Sequence, residues 1–144
     1  LLYKLGTSLK SIEAQKLVAK EYFNIAHNIM ETYGLKTERA FAFAFDLAVQ
    51  NGGIPNKIKP QILKNLTTCN GEIAKMNAIY NHRLGLVNPI WQLDFSNRKK
   101  TIINGEGTVH GIFYDLENDF GIKKGAKHVC NYLMRLVMEL SKVC

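Results

Sequence analysis

The chain has 144 residues, 47% of them hydrophobic, and carries 19 Lys and Arg against 12 Asp and Glu. This length suits one globular domain with a real core and is too short for two. The net charge of +7 favours polyanionic surroundings such as nucleic acid, anionic lipid or a phosphate-rich cell wall, without choosing among them.

No apolar run approaches the roughly 18 residues of a membrane span, and the N-terminus lacks the residue order of a signal peptide. Three widely spaced cysteines, Cys69, Cys130 and Cys144, form no CxxC pair, so we expect neither a disulfide framework nor a structural zinc. We also expect no cofactor. The first residue is Leu rather than Met, which indicates a processed product or a fragment.

The first two predicted elements are helices. Apolar residues between Leu9 and Tyr33 recur at the spacing of one helical face, and Gly34 follows where a left-handed residue ends a helix. After Thr37, phenylalanines alternate with alanines, a periodicity that also suits a strand. The capping Thr37, the helix propensity of alanine and the closing Gly52-Gly53 favour a helix that is buried nearly all round.

This second helix contains one carboxylate, Asp46. A carboxylate in so apolar a segment must be paired, because leaving it alone carries a large desolvation cost. Arg98 is the candidate partner, since a guanidinium can bind a carboxylate through two hydrogen bonds. The alternative is that Arg98 is an ordinary surface residue. The neighbouring Lys99 and Lys100 are expected to face water.

Further helices are predicted downstream. Helical spacing and turn residues predict them at about Asn56–Leu66, Gly71–Leu84, after Pro89, and at Lys127–Val143. Asn104–Gly107 is predicted to be a loop, because two glycines after an Asn disfavour helix and strand interiors. Thr108 to Tyr114 has the composition of a short extended segment.

The glycines from Gly105 to Gly111 read GxGxxxG, which is not the dinucleotide fingerprint and has no βαβ unit around it. They form either a tight surface turn or a loop whose amides and His110 approach a ligand. No histidine pair has zinc-protease spacing, and no Ser has the context of a hydrolase nucleophile. A glycosidase needs two carboxylates across a sugar, and the late acids (Glu106, Asp115, Glu117 and Asp119) show no such pair.

Two segments carry a resemblance. TERAFAFAFDLAVQNGGI and NPIWQLDFSNRKKTIINGEGTVHGIFYDLENDFGI resemble the C-terminal half of lysozyme-like peptidoglycan hydrolase domains of bacterial cell-wall enzymes and phage endolysins. They are also distantly similar to bacterial chitosanases. The resemblance covers about Ser8 to Ile122. It implies a mostly α-helical, lysozyme-like fold with a sugar-binding cleft between two lobes, of which residues 1–144 would be one domain, the C-terminal lobe.

The resemblance also implies a function. The general-acid Glu of the family lies in its N-terminal half, which has no match here, so it is expected upstream of Leu1. The chain would then be a bacterial or phage glycoside hydrolase module, outside the cell or at its wall, acting on peptidoglycan or a related amino-sugar glycan. In the chitosanase relatives a buried Asp, at the place of Asp46, joins later Arg residues in an active-site support network, which agrees with a role for Arg98.

Five polar residues are the expected sugar contacts: Gln50, Asn51, Asn104, His110 and Tyr114. Two rival functions stay open. One is a non-catalytic module that binds glycan or protein, and the other is nucleic-acid binding through the basic surface. The second rival ranks last, because the chain has no recognition-helix or aromatic-platform motif.

Overall fold

The computed structural model describes residues 9–127, which form a mostly helical fold. The elements within this range are α1 (Leu9–Tyr33), α2 (Glu38–Asn51), α3 (Lys59–Leu66), α4 (Glu72–Leu84), α5 (Gln92–Asn104), β1 (Glu106–Val109), β2 (Ile112–Asp115) and α6 (Leu116–Phe120). Short 3₁₀ turns at Asn56–Ile58 and Pro89–Trp91 lead into α3 and α5. The helix predicted at 127–143 lies outside the described residues beyond Lys127.

Helix α2 is the centre of the fold. It packs against α1, α4 and α5, and Phe43, Ala44 and Leu47 have no exposed surface. Helix, rather than strand, is therefore confirmed for the alternating Phe-Ala segment. The predicted caps are present too: the Thr37 hydroxyl accepts from the amide of Ala40 at 3.2 Å, and Gly52 ends α2 in the left-handed conformation.

The hydrophobic core lies between α1 and α2 and extends to α4 and α5. Aromatic rings fill its α1–α2 layer, where the ring centroids of Phe23 and Phe41 lie 4.8 Å apart. Ile79 of α4 and Ile103 of α5 close the other side with at most 1% of their surface exposed. Each such side chain contributes about 1.5–3 kcal/mol through burial, so α2 is the element whose position is fixed most firmly.

The sheet is a β-hairpin with a two-residue turn. Strands β1 and β2 pair antiparallel, with Val109 opposite Ile112. The turn residues His110 and Gly111 have φ values of 51° and 80°. Positive φ at both central positions is the mark of a type I′ turn, whose twist suits a hairpin. Strand β1 packs on α5, so the chain doubles back and the turn returns toward the beginning of α5.

The predicted loop at Asn104–Gly107 is wrong in part, because Asn104 belongs to α5 and Glu106 and Gly107 belong to β1. The glycines serve close packing instead of a loop. A Cβ on Gly107 would lie 2.3 Å from Oγ1 of Thr101 on α5, and one on Gly105 would lie 2.6 Å from a guanidinium nitrogen of Arg39. Strand and helix can approach this closely only where the side chain is absent.

Every helix in the described part of the chain is too short or too polar to cross a lipid bilayer.

Candidate functional site

A cluster of three charged groups lies between α2 and α5. One carboxylate oxygen of Asp46 accepts from the guanidinium of Arg98 and the other accepts from the ammonium of Lys99. The side chain of Asp46 is 13% exposed, that of Arg98 32% and that of Lys99 0%. The predicted contact between Asp46 and Arg98 is thus present. The expectation that Lys99 faces water is wrong.

The position of Lys99 on α5 explains its burial. Phe95, Lys99 and Ile103 follow one another at four-residue steps and therefore share the inward face of the helix. The ammonium lies 4.8 Å from the centre of the Phe95 ring. Burial lowers the pKa of Lys99, and the facing charge of Asp46 opposes that shift. The hydrogen bond that Arg98 donates to Asp46 raises the pKa of Arg98.

The cluster continues outward as a chain of hydrogen bonds. Lys99 also donates to the side-chain oxygen of Gln50 at 2.7 Å. The Gln50 nitrogen donates to one oxygen of Asp94 at 2.8 Å, and the other oxygen of Asp94 lies 2.6 Å from Nε2 of His110. Gln50 and His110, both predicted site residues, are therefore joined through Asp94, which sequence reasoning did not single out.

The sequence contains a feature that could have identified Asp94 as a site residue. It stands four residues before Arg98 on α5, so both side chains lie on the helix stripe that faces α2 and the hairpin. The acid also occupies the first turn of α5, where negative charge is favoured.

A pocket of about 390 Å³ opens beside this series of hydrogen bonds, where α2 ends and α5 begins. Its walls combine three carboxamides, one carboxylate, two aromatic rings and one aliphatic side chain: Gln50, Asn51, Val87, Asn88, Trp91, Asp94 and Phe95. Phe95 is buried, whereas 62% of the Trp91 surface is exposed. The volume lies within the range of about 300–1,000 Å³ that small-ligand sites occupy.

Arg83 holds the end of α2 against the pocket. Its guanidinium donates to the carbonyl oxygens of Asn51 at 3.2 Å and Gly53 at 3.3 Å, groups that have no partner within the helix. Burial lowers the pKa of Arg83. The side-chain oxygen of Asn51 is buried and has no hydrogen-bond partner among the described residues. Arg83 thus holds the backbone of Asn51, whereas the side-chain oxygen of Asn51 has no such contact among the described residues.

Asn104 and Tyr114, two of the predicted sugar contacts, do not line the pocket. Asn104 ends α5 ten residues after Asp94, which is roughly 15 Å along a helix. Tyr114 pairs with Gly107 across the hairpin and packs against Phe120, with the ring centroids 6.1 Å apart. Gln50 and Asn51 therefore line the pocket, whereas His110 does not line it and contacts Asp94 from the hairpin. Asn104 and Tyr114 lie at the other end of α5.

Two of the late acids cap a helix instead of forming a catalytic pair. Asp115 accepts from the backbone amides of Glu117 at 3.1 Å and Asn118 at 3.0 Å, and Asp119 accepts from the amide of Asp115 at 2.7 Å. The hydrogen bond from the Asn118 amide is the main cause that lowers the pKa of Asp115. Within residues 9–127, no three His, Cys, Asp or Glu side chains converge as a metal site would need. Cys69 is a free thiol.

The residues of this hydrogen-bonded series include both donors and acceptors. Carboxamides both donate and accept, and a carboxylate accepts from hydroxyls. Comparison of the chain with protein-family profiles, with curated proteins and with solved structures gave no match in any of the three.

Proposed function

We propose that this chain is the C-terminal lobe of a lysozyme-like glycoside hydrolase that acts on peptidoglycan or a related amino-sugar glycan. The observation that carries the proposal is the pocket at the end of α2, which places Gln50, Asn51 and Asp94 beside the exposed ring of Trp91. Sugars offer hydroxyl and acetamido groups to such polar side chains, and an apolar ring face to an aromatic one. The sequence resemblance points to the same class of ligand.

In this proposal the Asp46 cluster braces the pocket. Asp46 and Arg98 take no part in contact with the sugar. Asp46 holds Lys99, which orients Gln50 through a hydrogen bond of 2.7 Å. Because the side chain of Lys99 is fully buried, it has little freedom to move, and the orientation of Gln50 is fixed before a ligand arrives.

His110 acts on the pocket indirectly, through its contact with Asp94. It lies 2.6 Å from Asp94 and is itself largely exposed, so it steadies a pocket carboxylate from the solvent side. The left-handed turn residue His110 thus has a role that depends on the hairpin and not on its own contact with the glycan.

In this proposal the proton donor of the hydrolase is not one of the residues that line the pocket. A glycosidase needs a carboxylic acid that gives its proton to the leaving oxygen. Asp94 is the one carboxylate among the described residues that line the pocket, and both of its oxygens already meet Gln50 and His110. That arrangement suits an acceptor of hydrogen bonds better than a proton donor. The general-acid Glu would then lie upstream of Leu1, and the protein would act outside the cell or at its wall.

The test is product analysis by mass spectrometry. Purified peptidoglycan is incubated with this chain and, separately, with a chain extended upstream by its own gene sequence. Soluble muropeptides from the extended chain alone would support the proposal. Muropeptides from the 144-residue chain alone would move the acid into it, and Asp94→Asn would then be expected to abolish their release.

A non-catalytic glycan-binding module is the second candidate. The two hydrogen-bonded oxygens of Asp94 favour this candidate, because a binding site needs a fixed Asp94 and no proton donor. Sedimentation with insoluble peptidoglycan, with no release of muropeptides from either chain, would select this candidate over the hydrolase.

A further inference from the structure

Three Asn-Gly pairs occur in the chain: Asn51-Gly52, Asn70-Gly71 and Asn104-Gly105. Asparagine is one of the thermolabile residues. A glycine after it adds to the lability, because glycine has no side chain to shield its amide nitrogen and leaves the backbone free to turn. That nitrogen can then attack the side-chain carbonyl carbon of the asparagine. The three pairs are alike in this respect, so a difference in their reactivity must come from the fold.

Two of the pairs lie at helix ends that hold the glycine amide. The amide of Gly52 donates to the carbonyl oxygen of Ala48 at 3.0 Å, and that of Gly105 donates to the carbonyl oxygen of Thr101 at 2.9 Å. These bonds close the last turns of α2 and α5. An amide nitrogen in such a bond can attack only after the bond is broken and the helix end has opened. Both pairs are therefore protected.

The third pair, Asn70-Gly71, lies in the connection between α3 and α4. Both residues are exposed. Neither the amide of Gly71 nor the carboxamide of Asn70 has a hydrogen-bond partner within residues 9–127. Gly71 is the N-cap of α4, so its amide lies outside the hydrogen-bond ladder of the helix. The attacking nitrogen and the carbon that it attacks are thus free to approach each other.

We propose that Asn70 deamidates spontaneously in the folded protein. The amide nitrogen of Gly71 gives up its proton to base in the solvent and forms a bond to the side-chain carbonyl carbon of Asn70. The bond from that carbon to the side-chain nitrogen breaks, and ammonia leaves with a proton from the solvent. One water molecule then opens the succinimide ring at either carbonyl, which yields aspartate or isoaspartate. Each product carries one more negative charge than asparagine does.

The site adjoins a contact that positions α2. Glu72, the first residue of α4, accepts from the amide of Thr37 at 3.2 Å and from its hydroxyl, and Thr37 is the N-cap of α2. Isoaspartate routes the backbone through the former side chain and so adds one methylene to the main chain beside Gly71. That change loosens the contact between Glu72 and Thr37. Aspartate adds no backbone atom, and its charge is favoured near the N-terminus of α4.

The test is peptide mass spectrometry of the 144-residue chain during storage in mildly alkaline buffer. Trypsin places the three pairs in different peptides, residues 40–57, 65–75 and 101–123, and tandem fragmentation assigns the mass gain of deamidation to one asparagine. Asn70 is expected to react at least about tenfold faster than Asn51 or Asn104, a ratio that corresponds to about 1.4 kcal/mol of activation free energy. Equal rates, or a faster reaction at one of the helix ends, would overturn the site.

Urea provides the matched control, because it removes the structure and keeps the sequence. The three rates should converge in the unfolded chain. If Asn70 still reacts faster in urea, neighbouring side chains and not the hydrogen bonds at the helix ends set the order of the rates, and the inference is overturned.

A second measurement checks the effect on α2. Stored protein is separated by ion exchange, and isoaspartate is identified by electron-transfer fragmentation. The isoaspartyl form is expected to unfold at a lower urea concentration than the fresh chain does. Asn70→Asp, which has the same charge and an unchanged backbone, should unfold at the same urea concentration as the fresh chain or at a higher one. An isoaspartyl form with the midpoint of the fresh chain would overturn the effect on α2.

Discussion

Lys99 donates a hydrogen bond to Gln50 over 2.7 Å, and this contact fixes which end of the Gln50 carboxamide faces the pocket. An ammonium has donors and no acceptor, so the oxygen of Gln50 must turn toward it. The nitrogen is left to donate to Asp94 at 2.8 Å. A fully buried cation thereby sets the orientation of a carboxamide that lines the pocket.

Asp46→Asn is expected to lower the free energy of unfolding by about 3–5 kcal/mol, since it leaves two cations without their shared carboxylate, one of them fully buried. Urea unfolding measures this. Glu21→Gln, at an exposed position of α1, is the control and should change stability by no more than about 0.5 kcal/mol. A loss for Asp46→Asn of under about 1 kcal/mol, the scale of an exposed ion pair, would contradict the role given to the cluster.

Gly107→Ala is expected to destabilise the protein by about 1–3 kcal/mol, because its Cβ would collide with Thr101. Gly85→Ala makes the same chemical change where the nearest atom is 3.7 Å away and φ is −61°. It should be neutral or stabilising by up to about 1 kcal/mol. Thermal unfolding of the pair compares them directly, and equal shifts would show that β1 does not press on α5 as closely as described.

The third prediction concerns pH. The folded pKa of Asp115 lies below its ordinary value, so its contribution to stability is fully present above about pH 4, the unfolded value, and is lost as the pH falls through the folded pKa. Asp115→Asn should therefore flatten the fall in unfolding free energy below about pH 4. Urea unfolding across the acid range measures the slope.

The control for Asp115→Asn is Glu117→Gln, because Glu117 is an exposed acid in the same helix whose side chain makes no hydrogen bond within residues 9–127. It should keep the slope of the unchanged chain. A slope that Asp115→Asn leaves intact would show that the α6 cap does not govern the acid response.

His110→Ala is expected to weaken glycan binding several-fold while changing stability by no more than about 0.5 kcal/mol, the scale of an exposed substitution. The reason is that His110 is exposed but steadies Asp94. Calorimetric titration with an N-acetylglucosamine tetramer measures it, and Thr108→Ala, also exposed on the hairpin, is the control. Unchanged affinity in both variants would remove His110 from the site.

The helices were predictable because their signals are local. Thr37 and Gly52 mark the ends of α2 through their own backbone preferences, and the need of Asp46 for a cation follows from burial alone. The choice between Arg98 and Lys99 was not local. Adjacent residues on a helix point about 100° apart, so the answer depended on which face of α5 meets α2, and both side chains turned out to reach Asp46.

The pocket could not be predicted from local signals, because it is formed by residues that are far apart in the sequence. Asp94 and His110 are 16 residues apart and meet because β1 folds back along α5. The sequence shows that reversal only as glycines, and these were interpreted as loop residues when they mark close packing. Asn104 and Tyr114 were predicted beside His110 as sugar contacts, yet the reversal carries His110 away from them.

The two-residue turn at His110 and Gly111 fixes the register of the hairpin, and with it how far the hairpin reaches along α5. With arms of four residues each, it reaches about 13 Å back along α5. A single inserted residue would shift the strand pairing and swap the two faces, sending the imidazole away from Asp94. Homologous chains that keep this contact should therefore keep His110 and the two-residue length of the turn.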